Sequence, residues 1–79
     1  MQKWEYLFVT ADDIKGSLYP WLENGREISN WKEYQNIYDY CDKKGRDGWE
    51  LVAAPYIQTP TSTTVRLIFK RPIESVIPL

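Results

Sequence analysis

Few side chains in this sequence could catalyse a reaction. Cys41 is the single thiol, and the chain contains no histidine. Nucleophilic catalysis requires a base beside the nucleophile, so we interpret Cys41 as a small apolar residue on a helix face. Neighbouring carboxylates can divide acid–base work between them, but the pairs Asp12–Asp13, on a predicted loop, and Asp39–Asp42, on a predicted helix, lie among lysines on a solvated surface. We therefore predict no catalytic residue and no enzymatic activity.

The composition also argues against a cofactor or a metal. With one Cys and no His, the chain lacks the usual ligand sets for zinc and for iron–sulfur clusters. Its four glycines are dispersed and form no phosphate-binding loop. The net charge of −1 and the pI of about 5.3 predict no general attraction to nucleic acid or to a membrane surface. An unpaired thiol and an N-terminus without a signal-like pattern predict a cytoplasmic protein.

Length and composition indicate one small domain. The chain has 79 residues, and a single core of this size supplies only about 3–5 kcal/mol of net stability. Four Trp, six Tyr and two Phe residues offer dense aromatic material for that core. We predict one compact domain over residues 1–72, followed by an apolar tail over residues 73–79.

Hydrophobic patterns predict the elements of this domain. Alternating apolar residues predict strands at residues 3–10, 49–54 and 63–71, and two prolines predict a loop at residues 55–62. Asn24-Gly25 predicts a hairpin turn, because both residues accept the positive φ of a type I′ turn. Asn30 followed by Glu33 has the spacing of a capping box. A helix of about fourteen residues is expected after Asn30, with an apolar side formed by Trp31, Tyr34, Ile37, Tyr38 and Cys41.

The segment from Gly45 to Trp49 marks the point where the helix ends and the next strand begins. Gly45 is predicted to be the left-handed residue just past the last helical turn. Gly48 then completes the reversal, and Trp49 anchors the new strand in the core. We interpret these three residues as structural and not as a ligand-binding loop.

These elements predict an α+β fold. Their order is β-β-β-α-β-β, which gives a small antiparallel sheet of three to five strands with one amphipathic helix packed on one face. A single helix leaves the other face of the sheet uncovered. Alternation does not decide which face this is, so the uncovered face carries either Leu7, Val9, Val52 and Ile68 or else Trp4, Tyr6 and Phe8. The apolar tail could also fold back over it.

Three short motifs occur in a characteristic order along the chain: Lys3-Trp4-Glu5-Tyr6, Gly45-Arg46-Asp47-Gly48-Trp49-Glu50-Leu51-Val52 and Phe69-Lys70-Arg71-Pro72. This order resembles the small bacterial domain-of-unknown-function family 4177, whose members carry a K-W-E-Y start, an L-G-x-x-G-W-E-L-V centre and an F-K-R-P end. The resemblance covers Lys3 to Pro72 and includes the Asn24-Gly25 turn. Lys44 stands where the family commonly has a leucine, and the Pro-Thr loop is longer. The resemblance implies a compact α+β domain and no particular activity.

An uncovered apolar face on a small protein is typical of an interaction surface. We therefore predict a non-catalytic protein–protein interaction or assembly module that pairs through this face or a sheet edge, as a homodimer or within a larger assembly. Glu50 is a carboxylate in an apolar strand, and we expect it to pair with a cation within the sheet or to give the interface polar specificity. The candidate interface residues are Leu7, Val9, Glu50, Val52, Arg66, Ile68, Val76 and Ile77.

Single-stranded nucleic-acid binding is the alternative hypothesis. Trp4, Tyr6 and Phe8 could stack on bases while Lys70 and Arg71 contact phosphates. The acidic pI and the acids interleaved with the basic residues argue against this reading. No membrane partner is predicted, because no apolar run approaches the ~18 residues that a spanning helix needs.

Overall fold

The computed structural model describes residues 1–33 and 36–73. Its elements are β1 (Trp4–Ile14), β2 (Ser17–Glu23), β3 (Arg26–Glu27), a 3-10 turn (Trp31–Glu33), α1 (Ile37–Arg46), β4 (Glu50–Ala53), β5 (Tyr56–Gln58) and β6 (Thr63–Pro72). The strands of these described ranges form one antiparallel sheet in the order β3-β2-β1-β6-β4, and β5 pairs with the opposite end of β6. The α+β class is confirmed, but the sheet has six strands and not the predicted three to five.

β1 is longer than predicted, because it continues past Thr10 to Ile14. It joins β2 through a tight turn at Lys15-Gly16, where φ is 54° and 85°, as a type I′ turn requires. The side chain of Asp13 supports this turn by accepting a hydrogen bond of 2.8 Å from the N–H of Gly16. The predicted loop at Asp12–Asp13 is therefore strand.

The Asn24-Gly25 turn is confirmed, with φ values of 49° and 81°. Asn24 also extends the pairing between β2 and β1. Its N–H donates to the carbonyl of Phe8 at 2.7 Å, and its Oδ1 accepts from the N–H of Phe8 at 2.9 Å. The amide side chain thus takes the place of a backbone carbonyl and fixes β1 at Phe8.

β5 lies within the segment that was predicted as a loop. Tyr56–Gln58 pairs with the first residues of β6, and the N–H of Arg66 donates to the carbonyl of Pro55 at 3.0 Å. β4 and β5 therefore form one interrupted strand along the edge of the sheet. A strand of three residues is too short to show a strand period in the sequence, which explains the missed element.

The helix begins later than predicted. Asn36 is its N-cap, and the side chain of Asn36 accepts hydrogen bonds of 2.9 and 3.1 Å from the N–H groups of Tyr38 and Asp39. Asn30, the predicted cap, instead opens the 3-10 turn, where its carbonyl accepts from the N–H of Glu33 at 2.9 Å. Tyr34 of the predicted apolar stripe lies outside the described residues.

The end of the helix is a Schellman motif centred on Gly48. The N–H of Trp49 donates to the carbonyl of Lys44 at 3.0 Å, and the N–H of Gly48 donates to that of Gly45 at 3.1 Å. These are the two bonds of that motif, which needs a left-handed residue where Gly48 stands. Gly48 has φ of 92°, whereas Gly45 lies inside the last turn of α1. The predicted left-handed role of Gly45 therefore belongs to Gly48.

The core lies between α1 and one face of the sheet. It is formed by Leu7, Val9, Tyr40, Val65, Leu67 and Phe69. Tyr40 is fully buried, and its ring meets Phe69 edge-on at a centroid distance of 6.3 Å. Its hydroxyl donates to the carboxylate of Glu23 at 2.6 Å, which also receives Lys44 at 3.2 Å. The predicted stripe had assigned Tyr38 to the core, but Tyr38 is 76% exposed.

The two glycines give a matched test of the helix end. We expect Gly48→Ala to lower the free energy of unfolding by about 1–2 kcal/mol, because an L-residue is strained at positive φ. Gly45→Ala should raise it by about 0.5–1 kcal/mol, because Gly45 is helical and a Cβ there meets no atom within 4 Å. Urea denaturation of both variants measures the difference, and equal effects would contradict the assignment of the motif.

Candidate interaction surface

The open face is the side of the sheet opposite α1. From β1 it carries Trp4, Tyr6, Phe8 and Thr10, and from β6 it carries Lys70, Ile68 and Arg66, which lie opposite Tyr6, Phe8 and Thr10 in the register. Trp4, Tyr6 and Phe8 are 38%, 52% and 47% exposed. No element of the described ranges covers them. Of the two residue sets that alternation left open, the aromatic set is the uncovered one, but Ile68, which had been grouped with Leu7 and Val9, lies on the same open face opposite Phe8.

The structure divides the predicted interface residues into three groups. Leu7 and Val9 are buried beneath α1, so their assignment to the interface is corrected: the helix covers their face of β1. Arg66, Ile68 and Glu50 lie on the open face by their strand register, and Val52 is exposed on the edge strand β4. Val76 and Ile77 lie outside the described residues.

Lys70 is engaged with an aromatic ring and not with the neighbouring carboxylate. Its Nζ lies 4.2 Å from the ring centroid of Trp4, a cation–π contact between diagonal neighbours on adjacent strands. Glu50 is directly opposite Lys70 in the register of β4 and β6, yet the two form no ion pair within the described residues, whose ion pairs include Lys44 with Glu23 and Arg71 with Glu5. Glu50 and Arg66 therefore present opposite charges on the open face without an ion-pair partner in the described chain.

A shallow groove crosses the open face beside these charges. It has a volume of about 540 Å³ and is lined by Phe8, Thr10, Leu22, Asn24, Gly25 and Arg66. Thr10 is the small residue between larger neighbours, and Leu22 lies beside it on β2. The open face is therefore not flat: the aromatic rings of Tyr6 and Phe8 project from it, and there is a depression at Thr10.

The edge formed by β4 and β5 is also apolar and exposed. Leu51, Val52, Tyr56 and Ile57 are each between 42% and 65% exposed. Exposed edge strands invite pairing with another chain. Pro55 interrupts this edge, which limits how many consecutive backbone bonds a partner strand could form.

Arg71 joins the three sequence motifs on the helix side of the sheet. Its Nε donates to the carboxylate of Glu5, its Nη1 donates to the backbone carbonyl of Asp47 at 3.1 Å, and its guanidinium lies 4.1 Å from the ring centroid of Trp49. A cation at this position also suits the negative end of the helix dipole. A cavity of about 450 Å³ lies beside Arg71 and is lined by Glu5, Asp47, Gly48, Arg71 and Pro72. The guanidinium of Arg71 at its border already bonds to Glu5 and Asp47 of the same chain.

The chemistry of the remaining polar groups is limited. Burial, and then the neighbouring charge of Asp42, raise the pKa of the Cys41 thiol, which disfavours the nucleophilic thiolate. The described part of the chain holds no group of three or more Cys, His, Asp or Glu side chains that could bind a metal. No helix in residues 1–33 or 36–73 is long and apolar enough to cross a membrane.

Sequence reasoning missed two of these features. Tyr40 was not assigned to the core, because the apolar stripe was counted from Asn30, and the N-cap side chain of Asn36 was the local signal for the later start. The contacts of Lys70 and Arg71 were also missed, although both residues belong to the third motif. Their adjacency in a strand implies opposite faces, which was the available signal.

The contacts of Arg71 predict that a lysine cannot replace it. We expect Arg71→Lys to lower the free energy of unfolding by about 1–2 kcal/mol, because lysine keeps the charge but loses the planar fork that serves Glu5, Asp47 and Trp49 together. The exposed ion pair itself contributes little of this. Arg46→Lys, at an exposed position, is the control. A loss no larger than that of the control, measured by urea denaturation, would refute the role of Arg71.

The comparison with known families agrees with this arrangement of motifs. The model of the family described as Domain of unknown function (DUF4177) matches residues 4–72, a range that contains every residue of the open face and of the Arg71 cluster. No curated protein matches the chain significantly, and no solved structure does. Because the match spans most of the sequence, the chain belongs to the DUF4177 family.

Proposed function

We propose that this domain is a non-catalytic protein-interaction module whose open face binds a protein partner. The observation that carries the proposal is the exposure of Trp4, Tyr6 and Phe8 in one row on β1, opposite the helix. Contiguous apolar patches of this kind on small proteins mark binding sites. Aromatic residues are also the side chains most enriched at the centres of protein interfaces.

The charges on the open face support a protein partner more than a strongly charged polymer. Lys70 and Arg66 are accompanied by Glu50 and by Asp12, which accepts a hydrogen bond from Thr64 at 2.7 Å. Two cations and two carboxylates leave the face nearly neutral. A polar rim around an apolar centre matches the usual anatomy of protein–protein interfaces.

The unpaired thiol of Cys41 supports a reducing compartment such as the cytoplasm as the place where this module acts. The predicted contribution of the tail residues Val76 and Ile77 to the interface stays a prediction.

The proposal is tested by placing a charge at the centre of the open face. We expect the wild-type protein either to assemble, with a solution mass above 9.4 kDa, or to enhance the fluorescence of an apolar dye. Phe8→Glu should reduce whichever of these two signals the wild type shows, because it puts a carboxylate in the middle of the patch. The measurements are light scattering over a range of concentrations and dye titration.

Tyr38→Glu serves as the control, because Tyr38 is exposed on α1 and away from the open face. It should leave mass and dye binding unchanged. A wild-type protein that is monomeric and binds no more dye than Phe8→Glu would refute the proposal.

Single-stranded nucleic-acid binding is a second candidate, favoured by the row of three exposed rings with Lys70 beside it. It is weaker, because Lys70 already contacts Trp4 and because Arg71 lies on the opposite face of the sheet, bonded to Glu5. A titration of tryptophan fluorescence with a single-stranded oligonucleotide at low salt checks it. We expect no salt-dependent quenching, and strong quenching that weakens as salt is added would favour nucleic acid over protein.

A further inference from the structure

We propose that the edge formed by β4 and β5 pairs with the same edge of a second copy of this chain, antiparallel and about a two-fold axis at Tyr56. This inference goes beyond the proposed function, because it uses a different surface from the open face. The two edges of the sheet differ in a way that points to it. Within residues 1–33 and 36–73, the outer strand on one side is β3, which consists of the two charged residues Arg26 and Glu27. The other edge spans residues 50–58, all exposed, and contains a single charged residue, Glu50. Short and charged edges resist pairing with another chain, whereas long apolar ones favour it.

This second edge is continuous along β6. Ala53 is opposite Ile68 at the end of β4, and Tyr56 is opposite Val65 at the start of β5. Because three residues separate both the first pair and the second pair of partners, the register with β6 is maintained between the two strands. The only shift in the register of β4 lies before Ala53. The edge therefore has a regular section from Ala53 to Gln58.

The backbone of this regular section has polar groups directed away from the sheet. The N–H of Arg66 donates to the carbonyl of Pro55 at 3.0 Å, so the backbone of Pro55 is directed toward β6. Successive residues of a strand direct their backbone groups to alternate sides. Ala54, Tyr56 and Gln58 therefore direct their N–H and C=O groups outward. The N–H that proline lacks would lie on the β6 side, so each of the three outward residues keeps a donor and an acceptor.

The same edge of a second copy supplies matching groups in one register. In a two-fold interface each contact occurs twice, because residue i meets j and residue j meets i. When Tyr56 faces the partner's Tyr56, Ala54 of each copy faces the partner's Gln58. All the outward groups are then used, in about six backbone hydrogen bonds. An axis at Ala54 would instead extend the pairing to the bulge at Val52, where the alternation is broken.

The side chains are compatible with this register. Tyr56 is 65% exposed, and its ring meets the partner's ring at the axis, which is a favourable cross-strand pair. On the other side of the sheet, Pro55 of each copy faces the partner's Ile57. The paired section from Ala54 to Gln58 contains no charged residue. Glu50 lies six residues from the axis residue, so the two copies bring no like charges together.

The dimer also has a consequence for the open face. An axis perpendicular to the sheet joins the two six-stranded sheets edge to edge, with both helices on one side and both open faces on the other. The exposed row of Trp4, Tyr6 and Phe8 thus occurs twice on the same side. On the proposed function, a partner protein with two matching sites would bind this dimer more tightly than it binds one copy.

The short paired section sets the expected affinity. Five residues on each chain form a smaller contact than a standard interface, which buries about 800 Å² on each partner. We therefore expect a dissociation constant on the order of tens of micromolar. The solution mass should rise with concentration from 9.4 kDa toward twice that value.

Charges at Tyr56 give a test that only a two-fold axis at this residue can pass. Tyr56→Lys places two ammonium groups at the axis, and Tyr56→Glu places two carboxylates there. Each variant by itself should dimerise at least roughly tenfold more weakly than the wild type. An equimolar mixture of the two variants should form a heterodimer, because the opposite charges then meet. Sedimentation velocity and native mass spectrometry measure these species.

The controls carry the same changes at an exposed tyrosine away from the edge. Tyr38→Lys and Tyr38→Glu, on α1, should leave dimerisation unchanged. Amide hydrogen exchange of the wild type keeps the test valid if a charge at Tyr56 impairs folding. The N–H groups of Ala54, Tyr56 and Gln58 should exchange more slowly as the protein concentration rises, because they gain acceptors only in the dimer.

The inference fails if the wild type stays monomeric at millimolar concentration, if either variant at Tyr56 dimerises like the wild type, or if their mixture forms no heterodimer. Exchange at the three outward residues that does not change with concentration would also overturn it.

The open face is tested separately in the Tyr56→Lys background, where the edge no longer contributes to the solution mass. Assembly or dye binding that remains there and is lost on adding Phe8→Glu would support the proposed function even if the edge does not pair. An edge dimer without either signal from the open face would reject the proposed function and leave this inference standing.

Discussion

The burial of Tyr40 against the sheet is the interaction on which the two-layer arrangement depends. It is the one buried residue of α1, so the helix is held to the sheet through this ring, with Ile37 and Cys41 packed at the margin of the core. A buried hydroxyl needs a hydrogen-bond partner, and Glu23 on β2 supplies it. Glu23 is opposite Val9 in the register of β1 and β2, so this hydrogen bond ties the helix to the same face of the sheet that carries Val9.

The sequence was sufficient for the fold class but not for the choice of face. Alternation along β1 sorts Trp4, Tyr6 and Phe8 from Leu7 and Val9, yet both sets are apolar and either could face the helix. The choice depends on which side Tyr40 packs against, which is a property of the tertiary structure. Counting the helix from Asn30 hid this residue, since Asn30 and Asn36 are equally good caps and only the hydrogen bonds of the folded chain distinguish them.

The two glycines at the end of the helix also show that the sequence alone does not distinguish two equally suitable positions. Gly45 and Gly48 both precede the strand, and both fit the composition of a helix end. The cap is decided by which carbonyls receive the N–H groups of Gly48 and Trp49, and these contacts put Gly45 within the helix. Strand β5 was missed for a different reason. Its pairing with β6 is determined by the partner strand and not by its own three residues.

Adjacent residues of the third motif act on opposite sides of the sheet. Arg71 faces the helix and joins Glu5, Asp47 and Trp49, so its contacts stabilise the fold. Lys70 faces outward and covers Trp4. Because Lys70 is engaged there, the carboxylate of Glu50 stays exposed beside it.

An exposed carboxylate and guanidinium on an apolar face have two effects on association. In the free protein the charged groups of Glu50 and Arg66 stay hydrated and interrupt the hydrophobic area, which limits nonspecific contacts. In a complex they exclude any partner that brings a like charge or no charge to these positions, because the groups would lose water without gaining a partner. On the proposed function, the same two side chains would oppose random aggregation and select a partner with matching charges, a role that the intramolecular ion pair expected from the sequence would have removed.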